Sequence, residues 1–342
     1  MPINNVEIGS EFWDVPTKPD YQNNILPDNT SWFLSGRTAL REIIKDIKSK
    51  IKFESAALPS WCCESMILPF VEEQISVKFY SVYKTDNGIE QNFHEAENCD
   101  VILKMDYFGY QSTSPFSFDK IVISDITHSI FCSEVQTSQY TFGSLRKWAG
   151  FFTGGFAFSK NHSFEPPTIA PNDEYVTLRK EAMQKKKTYI EENKGDKAFL
   201  NDFAAAERYL DECTQNMGAH ALDIQRAKTL DIDSLRAKRR KNAFVLLNEL
   251  SDFAIFPCLN ENDCPLFVPL YIDDGKRDDL RKYLISKQIY CPIHWPVSKL
   301  HKVTDLTAPI YKNEISLVCD QRYTPSDMYR IAEEVKTFLS MR

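Results

Sequence analysis

The stretch Ser144-Leu145-Arg146-Lys147-Trp148-Ala149-Gly150-Phe151-Phe152-Thr153-Gly154-Gly155 sets a lysine seven residues ahead of a glycine pair. The glycines open an apolar run, Gly155-Phe156-Ala157-Phe158, that reads as a strand. A lysine amine attacks a carbonyl carbon only when its charge is suppressed, by desolvation or by a neighbouring cation. Arg146 provides the cation, and Trp148, Phe151 and Phe152 are expected to surround the amine, so Lys147 is a candidate nucleophile. A surface lysine beside an arginine looks the same locally. Partners elsewhere in the chain decide between the two.

The first partner is Asp125, at the end of Lys120-Ile121-Val122-Ile123-Ser124-Asp125, which reads as a buried parallel strand. Its carboxylate emerges at the strand's carboxyl end, the edge where open α/β sheets bind ligands. An aspartate there also serves as a turn former or helix cap. A pyridoxal 5'-phosphate (PLP) enzyme needs a lysine for the aldehyde and a carboxylate to keep the pyridine nitrogen protonated. Lys147 and Asp125 fit those two roles. For the phosphate, Ser35-Gly36-Arg37-Thr38-Ala39-Leu40 precedes a helical pattern in which Leu40, Ile43, Ile44 and Ile47 share one face. A small-residue turn opening a helix offers free N–H groups and the positive dipole end to an anion, although a plain Ser N-cap starts a helix equally well. Ser144, three residues before Lys147, adds a hydroxyl.

In this order and spacing the segments resemble the fold-type I PLP enzymes, and more narrowly the DegT/StrS nucleotide-sugar aminotransferases, over most of the chain. The matching points are residues 35–40, similar to the family's Ser-Gly-Thr-x-Ala-Leu, then Leu58-Pro59-Ser60, Asp106-Tyr107-Phe108-Gly109, Asp125-Ile126-Thr127-His128, and the interval from Lys147 to Gly154-Gly155. The resemblance implies an α/β fold with a large domain on a mixed, mostly parallel seven-stranded sheet and a small C-terminal α+β domain. It also implies a homodimer with its active sites at the subunit interface. By the same resemblance Lys147 is the Schiff-base lysine and Asp125 the partner of the pyridine nitrogen. Gly36, Arg37, Thr38 and Ser144 lie around the phosphate. His128 stands near the ring or its O3', or is a satisfied loop histidine. Trp61 or Cys63 occupies the place of the ring-stacking aromatic; a tryptophan there also suits the core.

The departures are local. Arg37 stands where the family has a small hydroxyl residue, so its charge is directed at the phosphate or away into solvent. The family's Thr-Phe-x-Ala-Thr stretch is here Trp61-Cys62-Cys63-Glu64-Ser65, and the Asn-x-Arg segment that reaches the partner's cofactor has only His220 and Arg226 as loose stand-ins. The resemblance implies a PLP-dependent aminotransferase that moves an amino group from glutamate to a nucleotide-linked keto deoxyhexose, for surface polysaccharide, lipopolysaccharide or secondary-metabolite sugars. Related dehydratases carry histidine in place of the lysine, so Lys147 favours transamination. The rival readings are a PLP lyase acting on an amino acid and a noncatalytic binding protein on the same fold.

With 342 residues, 43% apolar and 26% charged, the chain can bury a large core and divides into two parts. We place the large domain at residues 1–250, with bridging helices from about residue 172, and the small domain at 251–342. A formal charge of −7 and the lack of a basic patch with interleaved aromatics argue against nucleic acid as a partner. Lys185-Lys186-Lys187 reads as a solvated helix face. Nine cysteines without zinc-ligand spacing, and no signal peptide at the amino terminus, point to free thiols, no metal and a cytoplasmic setting. No apolar stretch has membrane-span length. Pro292-Ile293-His294-Trp295-Pro296 and Asp320-Gln321-Arg322-Tyr323-Thr324-Pro325 resemble the family's substrate loop and the approach to its last helix, which makes His294 and Arg322 substrate candidates. A proline-framed turn and a capped helix start would read the same way.

Overall fold

Residues 7–111, 114 and 119–341 are described by the computed structural model. In chain order the strands are β1 (Ile8–Gly9), β2 (Ser31–Phe33), β3 (Ser55–Pro59), β4 (Ser76–Tyr80), β5 (Val82–Thr85), β6 (Gly88–Gln91), β7 (Val101–Met105), β8 (Ile121–Asp125), β9 (Tyr140–Ser144), β10 (Gly155–Ser159), β11 (Phe267–Tyr271), β12 (Ile289–Tyr290) and β13 (Glu314–Val318). The helices are α1 (Gly36–Lys50), α2 (Glu64–Glu72), α3 (Asp173–Glu191), α4 (Phe199–Glu212), α5 (Ala221–Lys228), α6 (Ile232–Leu250), α7 (Arg277–Ser286), α8 (Ala308–Asn313) and α9 (Pro325–Ser340).

Seven strands form one sheet in the order β2-β10-β9-β8-β7-β3-β4. The pairs β3–β4, β3–β7, β7–β8 and β8–β9 are parallel, and β10 runs antiparallel to both β9 and β2. The expected mixed, mostly parallel seven-stranded sheet is therefore present. Strands β7, β9 and β10 are buried along their whole length, as strands covered on both faces are. Helix α1 buries Leu40, Ile43, Ile44 and Ile47 completely, the stripe its spacing predicts. Ser35 caps it, its hydroxyl accepting from the Thr38 N–H at 3.2 Å.

A second core gathers around the antiparallel pair β11 and β13, helices α7 and α9, and the later turns of α6. Ile8 belongs to this core, because β1 pairs in parallel with β12, Ile8 opposite Ile289. Gly9 donates its N–H to the Tyr323 hydroxyl at 2.8 Å. The amino-terminal strand thus completes the part of the molecule built from the last quarter of the chain. No described helix is long and apolar enough to cross a membrane.

Candidate active site

Strands β3, β7, β8 and β9 end together, with Met105 level with Asp125 and Asp125 level with Phe142. The chain leaves β3 for β4 at one edge and resumes at β7 on the other side of β3, so a topological switch point lies between β3 and β7. The four loops beyond these strand ends carry Trp61–Cys63, Asp106–Phe108, Ile126–His128 and Leu145–Lys147.

Asp125 is 5% exposed. One carboxylate oxygen accepts from the Thr127 N–H at 2.8 Å, and among the described residues no arginine or lysine forms an ion pair with it. Burial first, and then the neighbouring Asp106, push its pKa up to about 6, against the opposing pull of Thr127 and the charge of Lys147. A carboxylate held this way is short of a cation. His128 is buried beside it and stays neutral, because burial and then the charges of His294 and Lys147 hold its pKa well below the usual histidine range. Its Nδ1 accepts from the Phe108 N–H at 3.3 Å, which leaves the proton on Nε2 for donation to a ligand. The imidazole packs against both Phe108, with ring centroids 5.1 Å apart, and Trp295, stacked at 5.7 Å, which also contact each other at 6.3 Å.

Lys147 ends a 3-10 turn, Leu145–Lys147, immediately after β9. It is exposed and lines a cavity of about 550 Å³ together with His128, His294, Trp295, Arg146 and Glu207, a size suited to a small-molecule site. The aromatic shield expected around the amine is not there. Trp148 and Phe151 are fully buried and Phe152 nearly so. Trp148 turns into the core, its indole N–H donating to the Thr127 carbonyl at 2.6 Å. In so short a turn the side chains after Lys147 point under the sheet edge while the lysine points out. Arg146 is likewise not a free cation, since it pairs with Glu207.

The amino end of α1 adjoins β9. A Cβ on Gly36 would lie 3.5 Å from the Ser144 Cβ, and one on Gly155 would fall 2.1 Å from the Ser35 carbonyl oxygen. Glycine at 155 is what lets the cap of α1 approach β10. Gly155→Ala is expected to destabilise the chain by about 1–3 kcal/mol, read as a lower urea midpoint; an unchanged midpoint would show that the helix start yields freely. Gly36, Thr38 and Ser144 therefore form one small polar surface at a helix N-terminus. Arg37 is not part of it. Its guanidinium binds the carboxyl end of α4, through the Leu210 and Asp211 carbonyls at 3.2 Å and the Asp211 carboxylate at 2.8 Å, where a cation complements the helix dipole.

Trp61 is fully buried among Tyr107, stacked at 4.9 Å, Phe108 and Trp295. Its indole N–H donates to the His294 carbonyl at 2.6 Å, and its own carbonyl accepts from the Tyr107 hydroxyl at 2.6 Å. Its ring is a core element joining the β3 loop to residues 292–296, and has no face to offer a ligand. Trp61→Ala should cost about 3–5 kcal/mol of stability, measured by denaturant unfolding; a loss under 1 kcal/mol, within the range of ordinary surface substitutions, would contradict that role. Cys63 is half-buried, and its thiol, held protonated mainly by burial, is close enough to feel both Asp125 and Lys147. Of the two ring-face candidates, Cys63 is the one within electrostatic reach of both the lysine and the aspartate.

His294 lines the cavity with Nδ1 3.0 Å from the Ser316 hydroxyl and its backbone N–H donating to the buried Glu314 carboxylate at 2.7 Å. Arg322 also reaches the cavity, but its charge is spent. It pairs with Asp320 at 2.8 Å, binds the Ser10 and Glu11 carbonyls at 3.2 and 3.0 Å, and packs over Phe12 at 4.1 Å. It straps residues 10–12 across the cavity as a wall. Lys186 supports the same segment from below, donating to the Glu11 carbonyl at 2.6 Å. It is fully buried, contrary to the solvated face expected of the lysine run, and burial followed by the Arg322 charge pulls its pKa down to about 7. His220 caps α5 and Arg226 lies over Phe152, both away from this cavity's lining.

Sequence reasoning missed two walls. One is the amino-terminal segment Gly9–Phe12, whose short strand carries no periodic signal. The other is α4, which presents Leu200, Phe203, Ala204 and Glu207 to the cavity. Their i, i+3, i+4, i+7 spacing was a readable cue.

No family model matches the chain, and no curated protein matches it by sequence. Solved structures do. PseC of Helicobacter pylori, an aminotransferase involved in the biosynthesis of pseudoaminic acid, superposes with a TM-score of 0.63 at 15% identity, over 97% of this chain and 100% of its own. A putative sugar aminotransferase of Streptococcus pneumoniae, in its PLP form, gives 0.63 at 12% identity, over 96% and 98%. A DegT DnrJ EryC1 StrS aminotransferase from Brucella abortus gives 0.59 at 14%, over 91% and 86%. Over 91–97% of its length the chain has the fold of these aminotransferases, the fold-type I architecture.

Proposed function

We propose that this chain is a PLP-dependent aminotransferase that takes an amino group from an amino acid, glutamate being the expected donor, and places it on a nucleotide-linked keto sugar. The observation that carries the reading is Asp125, a buried carboxylate with no ion-pair partner among the described residues, at the carboxyl end of a central strand and within electrostatic reach of a lysine that lines the adjoining cavity. The residues present fit PLP. A protonated pyridine nitrogen is the cation Asp125 lacks, the α1 amino terminus with Gly36, Thr38 and Ser144 suits a phosphate, and neutral His128 has an N–H to give to a phenolic oxygen.

Bound there, PLP would serve as an electron sink for bonds at the substrate's amine-bearing carbon. The protein's part is positional and protonic. Lys147 would hold the cofactor and carry a proton to and from the substrate carbon as base and acid in turn. Asp125 would keep the ring nitrogen protonated. Cys63 would offer a neighbour of little bulk. Of the neighbours named above, one is a putative sugar aminotransferase and one an aminotransferase of pseudoaminic acid biosynthesis, which supports the keto-sugar acceptor. Assembly as a homodimer, a cytoplasmic setting and a place in polysaccharide or lipopolysaccharide synthesis belong to the same proposal.

The test is the visible spectrum of the purified protein with added PLP, before and after glutamate, followed by borohydride reduction and peptide mapping. A PLP band that glutamate bleaches, with the reduced adduct on Lys147, is the expected result. No band and no adduct would leave a binding protein on this fold; product release without any keto-sugar acceptor would favour a lyase.

A further inference from the structure

Arg146, on the cavity wall beside Lys147, has hydrogen-bonding capacity left incomplete. Its side chain is 13% exposed, and its Nε is buried without an acceptor. The carboxylate facing it belongs to Glu207 on α4 and is shared. The same oxygen, Oε1, accepts from Arg146 and, at 3.1 Å, from Arg179. Arg179 is 2% exposed, its own Nε also lacks an acceptor, and its next carboxylate, Glu11, is 3.6 Å away. Two buried guanidiniums are thus served chiefly by one oxygen of a side chain that is itself 44% exposed.

A guanidinium binds a carboxylate best in two parallel bonds, through Nε and one terminal nitrogen to the two oxygens. Glu207 uses one oxygen and leaves Nε empty. A free carboxylate entering from the cavity could use both. Any α-amino acid that presents its nitrogen at the position of the Lys147 amine carries such a carboxylate two bonds away. That amine and Glu207 already feel each other's charge.

Resting on the aminotransferase reading, we propose that Arg146 is the subsite for the α-carboxylate of the amino donor and its 2-oxo acid product, and that Glu207 is a placeholder which the incoming carboxylate displaces. Arg179 stays with Glu207 when it moves, so no buried charge is abandoned during the exchange. Glu207 then lowers affinity for carboxylates by competing with them, and it keeps the arginine paired when the acceptor sugar, which has no α-carboxylate, occupies the cavity.

The test is calorimetric titration with 2-oxoglutarate, with and without PLP, on the parent chain, Arg146→Gln, Arg146→Lys and Glu207→Gln. Arg146→Gln is expected to weaken binding about tenfold or more, and Glu207→Gln to strengthen it severalfold, with PLP uptake unchanged in both. Arg146→Lys, which keeps the charge without the fork, should fall between, and it stands in if the glutamine variant does not fold. Equal affinity in Arg146→Gln or Arg146→Lys and parent, weaker binding in Glu207→Gln, or no binding by the parent in either state would overturn the subsite. PLP uptake is read separately by absorbance. A parent that binds 2-oxoglutarate as expected yet takes up no PLP would sink the aminotransferase reading and leave the carboxylate site standing.

Discussion

Lys147→Ala yields a folded chain that forms no borohydride-trappable link to PLP and loses amino transfer by about 10⁴-fold or more, the upper range for a residue acting as both acid and base. Folding is expected to survive because the side chain is exposed at a cavity wall and packs against no core. Stability should stay within about 0.5 kcal/mol of the parent, as for an ordinary surface substitution. The readouts are reductive trapping with peptide mapping and a thermal melt. An adduct that persists would transfer the role to another amine. Lys186, held near 7, is the first to inspect, although it lies buried under Trp13 and Phe199.

Asp125→Asn separates stability from activity. Folding raises the carboxyl from 3.8 to about 6, so the folded chain binds that proton more tightly than the unfolded one. The contribution of Asp125 to stability is therefore full below about pH 4 and is lost as pH climbs through 6. In the cofactor-free protein at pH 7.5 the asparagine variant should be more stable than the parent by about 3 kcal/mol, the free-energy equivalent of that shift, and the two should converge at pH 4. The amide oxygen still accepts from the Thr127 N–H, so the loop is retained. Turnover should nevertheless fall on the order of 10²–10³-fold, as when a buried electrostatic partner of the reacting group is removed. Parallel melting curves at both pH values, or near-normal turnover, would count against an ionised Asp125 as the ring nitrogen's partner.

What was legible in the chain followed from burial and from backbone geometry. Strand β8 is apolar up to Asp125, and only a strand covered on both faces has that pattern, so the sheet and the aspartate's place on its edge could be read together. The stripe on α1 and the glycine at 155 belong to the same class of signal. What was not legible depended on where side chains point after short turns. Arg37 reads as facing a phosphate or solvent, Trp61 as a ring neighbour or core, and the aromatics after Lys147 as a shield for its amine; contacts more than 20 residues away turn Arg37 onto a helix end and Trp61 and Trp148 into packing. Lys186 shows the same limit. Nothing in a run of three lysines says that the middle one will be covered by residues 11–13. Glu207 is the converse, since its i, i+7 relation to Leu200 was visible but had no meaning until the cavity was known.

The pairing of β1 with β12 has a consequence for biogenesis. Residues 8–12 leave the ribosome well ahead of their partners at 289–290 and 320–323, which follow roughly 280–310 residues later. At typical synthesis rates of about 5–20 residues per second that is a wait on the order of 15–60 seconds, during which the seven-stranded sheet can form while the cavity has no front wall. A cut between Gly9 and Trp13 after folding would leave the sheet intact but remove that wall, so the protein would keep its bulk structure on a gel and lose the enclosure its chemistry needs.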